Sequence, residues 1–170
     1  MINTLKLTGL FLLFVAVLLT GCNGNGIELK DGDKNITVEM DEVISNYIIQ
    51  KYLSSYAHTE KQFEVHKVYG TSESNGVLSV YMWSYYGGFN KSSGEEIQSG
   101  HSLPAVIRLK KNDAHYSVIE YIEPQDGDLY QSSLKKMFPE KYFKLAQQDI
   151  GNIKDLQKEM DTKVQQWLGE

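Results

Sequence analysis

Val77-Leu78-Ser79-Val80-Tyr81-Met82-Trp83-Ser84-Tyr85-Tyr86 is apolar on both of its parities. Successive strand side chains point to opposite faces. Val77, Tyr81, Trp83 and Tyr85 therefore fall on one face, and Leu78, Val80, Met82 and Tyr86 on the other. This predicts a central strand covered on both sides. Just upstream, residues 71–76 form a turn ending in Asn75-Gly76, a strong hairpin signal. Before it, Phe63, Val65 and Tyr69 alternate, with Lys67 interrupting the pattern. Downstream, Gly87-Gly88 and residues 91–94 read as a loop. Residues 103–110 read as the next strand, with Pro104 near its start, where proline is tolerated. Lys111-Asn112-Asp113 turns the chain into a strand over 116–123. Four strands joined by mostly short turns make an antiparallel meander.

Helices flank the meander. Residues 41–56 carry Ile44, Tyr47, Ile48 and Tyr52 at helical spacing, with Asp41 and Glu42 suited to a positive helix start. Residues 36–38 read as a short strand before it. Pro124-Gln125-Asp126-Gly127 is a second turn signal. Helices are then expected over 129–138, over 139–148 with proline in the first turn, and over 152–168. In the last, Ile153, Leu156, Met160, Val164 and Trp167 form one stripe. The grouping predicts an α+β domain: a four-stranded antiparallel meander with an N-terminal helix and C-terminal helices packed on it. A cystatin-like or NTF2-like arrangement is the specific expectation.

The N-terminus supplies an address. An apolar run over residues 10–19 follows Lys6 and ends at Leu19-Thr20-Gly21-Cys22. The run is about ten residues long, short of the ~20 a spanning helix needs. It has the charged start, apolar middle and small residues of a secretory signal. Its last four residues resemble a lipobox, the acylation and cleavage site of bacterial lipoproteins. The resemblance implies a diacylglycerol thioether on Cys22, the only cysteine of the chain, with acyl chains such as palmitate. The expected organisation is a lipoprotein signal peptide over 1–21, a lipidated flexible tether over 22–35 and one globular domain over 36–170. The protein is expected on the extracytoplasmic face of a cell membrane, held by membrane lipid. One Arg beside sixteen Lys, with many Tyr, Ile and Asn, suits an AT-rich, Gram-positive host.

Composition narrows the function further. Lys6 is the only charged residue of the leader, so its removal takes the net charge from −5 to −6. An acidic domain of 149 residues is a poor partner for nucleic acid. With Cys22 acylated no disulfide forms, and the fold must stand on its apolar core. No His-Glu-x-x-His, phosphate loop or Gly-x-Ser-x-Gly is present. No catalytic residue, cofactor or metal site is assigned. His58, His66, His101 and His115 are scattered, with no ligand spacing. His101 and Ser102 are adjacent, so on a strand they point to opposite faces. Lys135, Lys136, Lys141 and Lys144 read as a solvated helix face. The Trp167 stripe reads as docked on the protein's own sheet rather than on a partner helix.

Two functional readings lead, ahead of a structural lipoprotein that assembles through the C-terminal helix. The preferred one is a non-catalytic module for a small ligand or an envelope protein, acting in envelope sensing or beside a membrane protein. Its candidate binding residues are Trp83, Tyr85, Tyr86, Phe89 and His101, with Tyr86-Gly87-Gly88-Phe89 expected at the exposed end of the strand. The alternative is a cell-wall or extracellular hydrolase using carboxylates such as Glu120 and Glu123 with His101. Oligomeric state stays open.

A longer resemblance runs from Phe63 to Tyr142. Its marks are Val65-His66-Lys67-Val68-Tyr69-Gly70-Thr71, Tyr81-Met82-Trp83, Ser102-Leu103-Pro104-Ala105-Val106, Glu120-Tyr121-Ile122-Glu123-Pro124 with Asp126-Gly127, and Leu134-Lys135-Lys136-Met137-Phe138-Pro139. This stretch, about half of the chain, resembles an uncharacterised extracytoplasmic domain of Bacillus-like and clostridial lipoproteins. A similar segment follows the membrane part of some beta-lactam-sensor-type metallopeptidases. The peptidase zinc motif is missing here, so the resemblance implies an extracytoplasmic module and no peptidase activity.

Overall fold

A computed structural model describes residues 28–170. Cys22, the expected signal and residues 23–27 of the expected tether lie outside those residues. The described chain is α+β. Strand β1 (Leu29–Asp31) leads into helix α1 (Val38–Tyr52). Strands β2 (Lys61–Ser74), β3 (Val77–Phe89), β4 (Ser99–Asn112) and β5 (His115–Ile122) follow, then helices α2 (Tyr130–Met137), α3 (Glu140–Asp149) and α4 (Lys154–Leu168). The five strands form one antiparallel sheet in the order β1-β2-β3-β4-β5. No described helix is long and apolar enough to cross a membrane.

Both faces of β3 are covered, as its double apolar pattern requires. Tyr81, Trp83 and Phe89 pack with Val65, Leu134, Tyr142, Leu156 and Met160 under α2–α4. Val80, Met82 and Tyr86 pack with Ile107, Leu109 and α1 on the opposite face. Helix α1 presents Met40, Ile44 and Ile48, one turn apart, to the sheet. Burial of such side chains contributes ~1.5–3 kcal/mol each. Together these three rival the net stability of a domain, so α1 holds its place mainly through the sheet.

Three expectations are corrected. The sheet has five strands, because Leu29–Asp31, assigned to the tether, pairs with Gly70–Ser72. Residues 36–38 are not a strand. Thr37 caps α1, its Oγ1 accepting the Met40 N–H at 3.2 Å, and a hydroxyl at that position competes well for an orphan helix donor. Finally, β3 runs on to Phe89, so Tyr86-Gly87-Gly88-Phe89 is buried rather than exposed. The glycines let the strand continue under close neighbours: a Cβ on Gly88 would crowd Thr59 and Ser99.

Local signals explain the remaining geometry. Asn75 and Gly76 both have positive φ, 51° and 73°, as a tight hairpin requires. β5 ends at Ile122, opposite Val106, so Pro104 lies where β4 has only β3 beside it. A bulge at Tyr69 sets two residues against Tyr81. Beside it, a Cβ on Gly70 would collide with the Tyr142 hydroxyl, which donates to Asp31.

Candidate functional site

β1 covers only a short part of β2. The last hydrogen bond along that edge runs from the Gly32 N–H to the Tyr69 carbonyl, and residues 61–68 pair with β3 alone. A cleft of about 310 Å³ opens there, between α1 on one face and α4 on the other. His66 and Val68 form its floor, Ile36 and Val38 one wall, and Asp33, Asp41 and Glu159 its mouth.

Beneath the floor lies a buried charge network. Glu64, 2% exposed, faces α1 from β2. Its carboxylate accepts the Ser45 hydroxyl of α1 at 2.7 Å, the Ser84 hydroxyl of β3 at 2.7 Å and His66 Nδ1 at 3.1 Å. His66 Nε2 faces Asp41 Oδ1 at 3.3 Å. Burial pushes the Glu64 carboxyl up, but the His66 charge and the donors to it outweigh burial and hold it below the ordinary glutamate range. For His66 burial pulls down, but Glu64, Asp41 and Glu159 outweigh it, and the imidazole sits above its ordinary value. The surroundings thus favour the ionised carboxylate of Glu64 and the protonated ring of His66.

That arrangement limits the chemistry. A serine nucleophile needs a base to take its proton. Ser45 and Ser84 donate to a carboxylate already held ionised, and both nitrogens of His66 face carboxylates. The network therefore holds its ionisable groups in mutual contacts. Beyond the Glu64–His66 pair, the mouth keeps Asp33, Asp41 and Glu159, so it is electronegative.

The five binding residues expected from sequence do not converge. Trp83 and Phe89 lie in the core under α2–α4, with half-buried Tyr85 packed against them. Trp83 Nε1 donates to Ser102 Oγ at 2.8 Å. Tyr86 and His101 meet on the opposite face, their rings stacked at 5.4 Å. His101 and Ser102 thus point to opposite faces. Around His101 stand Tyr52, 4.3 Å between centroids, and Tyr56, whose hydroxyl lies 3.1 Å from Nδ1. His101 Nε2 and the Tyr121 hydroxyl are buried without a partner among the described residues. Burial lowers the His101 pKa against an opposing pull from Glu123.

The carboxylates of the hydrolase reading are also separated. Glu120 pairs with Arg108 on the α2–α4 side, in register with Ile122 and Val106. Glu123 accepts the Tyr52 hydroxyl from α1, which together with burial drives the Tyr52 pKa up. His115 is exposed beside Glu39. Lys141 pairs with Asp31 and Lys144 with Glu140, as on a solvated helix face. Among the described residues no group of three or more His, Cys, Asp or Glu could hold a metal ion.

Sequence reasoning passed over Glu64, Ser45 and Ser84. A signal was present: Glu64 and His66 share one parity of β2, and Ser84 interrupts the apolar parity of β3 opposite them. Comparison of the chain with protein-family models, curated proteins and solved structures finds no match.

Proposed function

We propose that the chain is a membrane-anchored extracytoplasmic lipoprotein whose domain binds a ligand or an envelope protein without doing chemistry. The anchoring half of this reading rests on Leu19-Thr20-Gly21-Cys22, with the resemblance over Phe63 to Tyr142 in support. The observation that carries the binding half is the cleft over His66. It is open and electronegative, and every titratable group in its floor is committed to a partner. A fixed charge array of this kind suits recognition of a cationic group. The binding reading is favoured over the hydrolase reading because Glu120 and Glu123 take opposite faces of the sheet.

Two measurements test it. Labelled palmitate should enter the wild-type chain in a bacterial host and fail to enter Cys22→Ala. The melting temperature of the full chain in detergent should rise with a compound from a panel of wall fragments, amines and lipids, since a ligand at 100 times its Kd stabilises by ~2.7 kcal/mol. An unlabelled wild type overturns the anchor. A hydrolytic activity abolished by one side-chain substitution overturns the non-catalytic reading.

A further inference from the structure

A second cleft, of about 220 Å³, lies on the α1 face of the sheet beyond the start of that helix. It is separate from the His66 cleft and from the aromatic cluster around His101. Its floor is apolar: Leu109 is fully buried, Met40 is 5% exposed, and Leu78 and Tyr116 are half-buried beside them.

Two polar side chains in this apolar setting are unaccounted for. Thr71, on β2 opposite Val80, is 0% exposed, and its Oγ1 has no hydrogen-bond partner among the described residues. Asn35, in the 3-10 turn before α1, likewise has a buried Nδ2 without a partner. Both residues line the cleft. Buried polar groups are almost always paired, and an unpaired one opposes folding. Valine would fill the Thr71 position with the same shape and no such cost. The hydroxyl therefore has no hydrogen-bond partner within the described fold.

The rim adds charge. Lys30 comes from β1 and Lys111 from β4, with the Lys111 ammonium 5.8 Å from the centre of the Tyr116 ring. Glu73 is the one acidic residue of the lining, which leaves one net positive charge. One such charge suits a monoanion, and Glu73 repels a second negative charge. The cleft is smaller than the ~300 Å³ and upward of drug-sized sites, so it fits a small molecule.

We propose that this cleft binds a small monocarboxylate with an apolar body. The Thr71 hydroxyl and the Asn35 amide donate to the carboxylate, Lys30 and Lys111 supply charge, and the body lies on Leu78, Leu109 and Met40. The proposal deepens the binding reading by naming a ligand class at a second site, and it is independent of the membrane anchor.

The test uses the full chain in detergent with labelled Met, Thr and Leu methyl groups, titrated with hexanoate and followed by NMR. Hexanoate should shift the methyls of Met40, Thr71, Leu78 and Leu109 and saturate at roughly millimolar concentration or below. Acetate, which lacks the body, 1-hexanol, which lacks the charge, and hexyl phosphate, which carries a second charge, should each bind at least about tenfold more weakly, a difference of ~1.4 kcal/mol. Thr71→Val should melt no lower than wild type, because its hydroxyl has no partner to lose, yet bind hexanoate about tenfold more weakly. Lys111→Gln should weaken hexanoate and leave 1-hexanol unchanged. The absence of saturable shifts at these methyls overturns the proposal, as does a Thr71→Val variant that binds hexanoate like wild type. Neither failure touches palmitate labelling at Cys22 or recognition at the His66 cleft.

Discussion

His66 Nδ1 stands 3.1 Å from Glu64 Oε2, two residues away on the same strand, with both side chains sealed beneath α1. Their pKa values are displaced in opposite directions, Glu64 downward and His66 upward. A lowered carboxyl contributes stability above its ordinary value of about 4.3 and loses it as the pH falls through its folded value. A raised imidazole contributes fully below about 6.5 and loses its contribution as the pH rises through its folded value. The pair therefore stabilises most between about pH 4.3 and 6.5. Urea unfolding of wild type and of Glu64→Leu/His66→Phe across the pH range should differ most in that window. A difference that is flat with pH would rule out the charged pair.

Removing one partner should cost more than removing both. Glu64→Leu leaves His66 buried without its main counter-charge, and it strips Ser45 and Ser84 of their acceptor. Breaking a buried pair in this way typically costs ~3–5 kcal/mol, whereas replacing the whole pair with apolar groups is often close to neutral. The expected order of denaturation midpoints is wild type, then Glu64→Leu/His66→Phe, then Glu64→Leu alone. A double variant that falls below the single one would show that an uncompensated His66 charge is not what makes the Glu64→Leu variant unstable.

His101 should give the opposite pH response. Burial among Tyr52, Tyr56 and Tyr86 lowers its pKa, so the folded chain holds the neutral ring. As the pH falls below about 6.5 the unfolded chain takes up the proton first, and stability drops. His101→Phe keeps a ring on Tyr86 and removes both the titration and the unpartnered Nε2. Relative to wild type, its melting temperature should rise as the pH falls from 7 to 5, because only the His101 contribution differs between the two proteins. Parallel curves for the two proteins would refute this assignment.

The layers of the fold were legible because β3 is written for two faces: no one-sided strand needs both Tyr81-x-Trp83 and Val80-x-Met82. The helices were legible from 3.6-residue stripes such as Leu156, Met160 and Val164. β1 was not, since its three residues gain their structure only from pairing with Gly70–Ser72. The charge network was hidden for a related reason. On β2 the parity carrying Glu64 and His66 reads as a solvent face, and only the passage of α1 over it turns those residues inward. The aromatic residues of β3 are dense in sequence, but alternation sends Trp83 and Tyr86 to opposite sides. Composition cannot report that division, although strand period can.

Trp83 should behave as a core residue in every assay. It is 4% exposed, lies under α2–α4 and donates to Ser102. Truncation of a buried tryptophan to alanine leaves a large cavity and costs ~3–5 kcal/mol. Trp83→Phe keeps most of the packing and loses the Nε1 donation, a change on the order of 1 kcal/mol that also leaves Ser102 without its donor. Equilibrium unfolding should therefore rank wild type above Trp83→Phe, and Trp83→Phe well above Trp83→Ala. Hexanoate titration of Trp83→Phe should match wild type, because the cleft lined by Thr71 lies on the other face of the sheet. Loss of hexanoate binding in a fully folded Trp83→Phe would place the ligand among the aromatic residues of β3 instead.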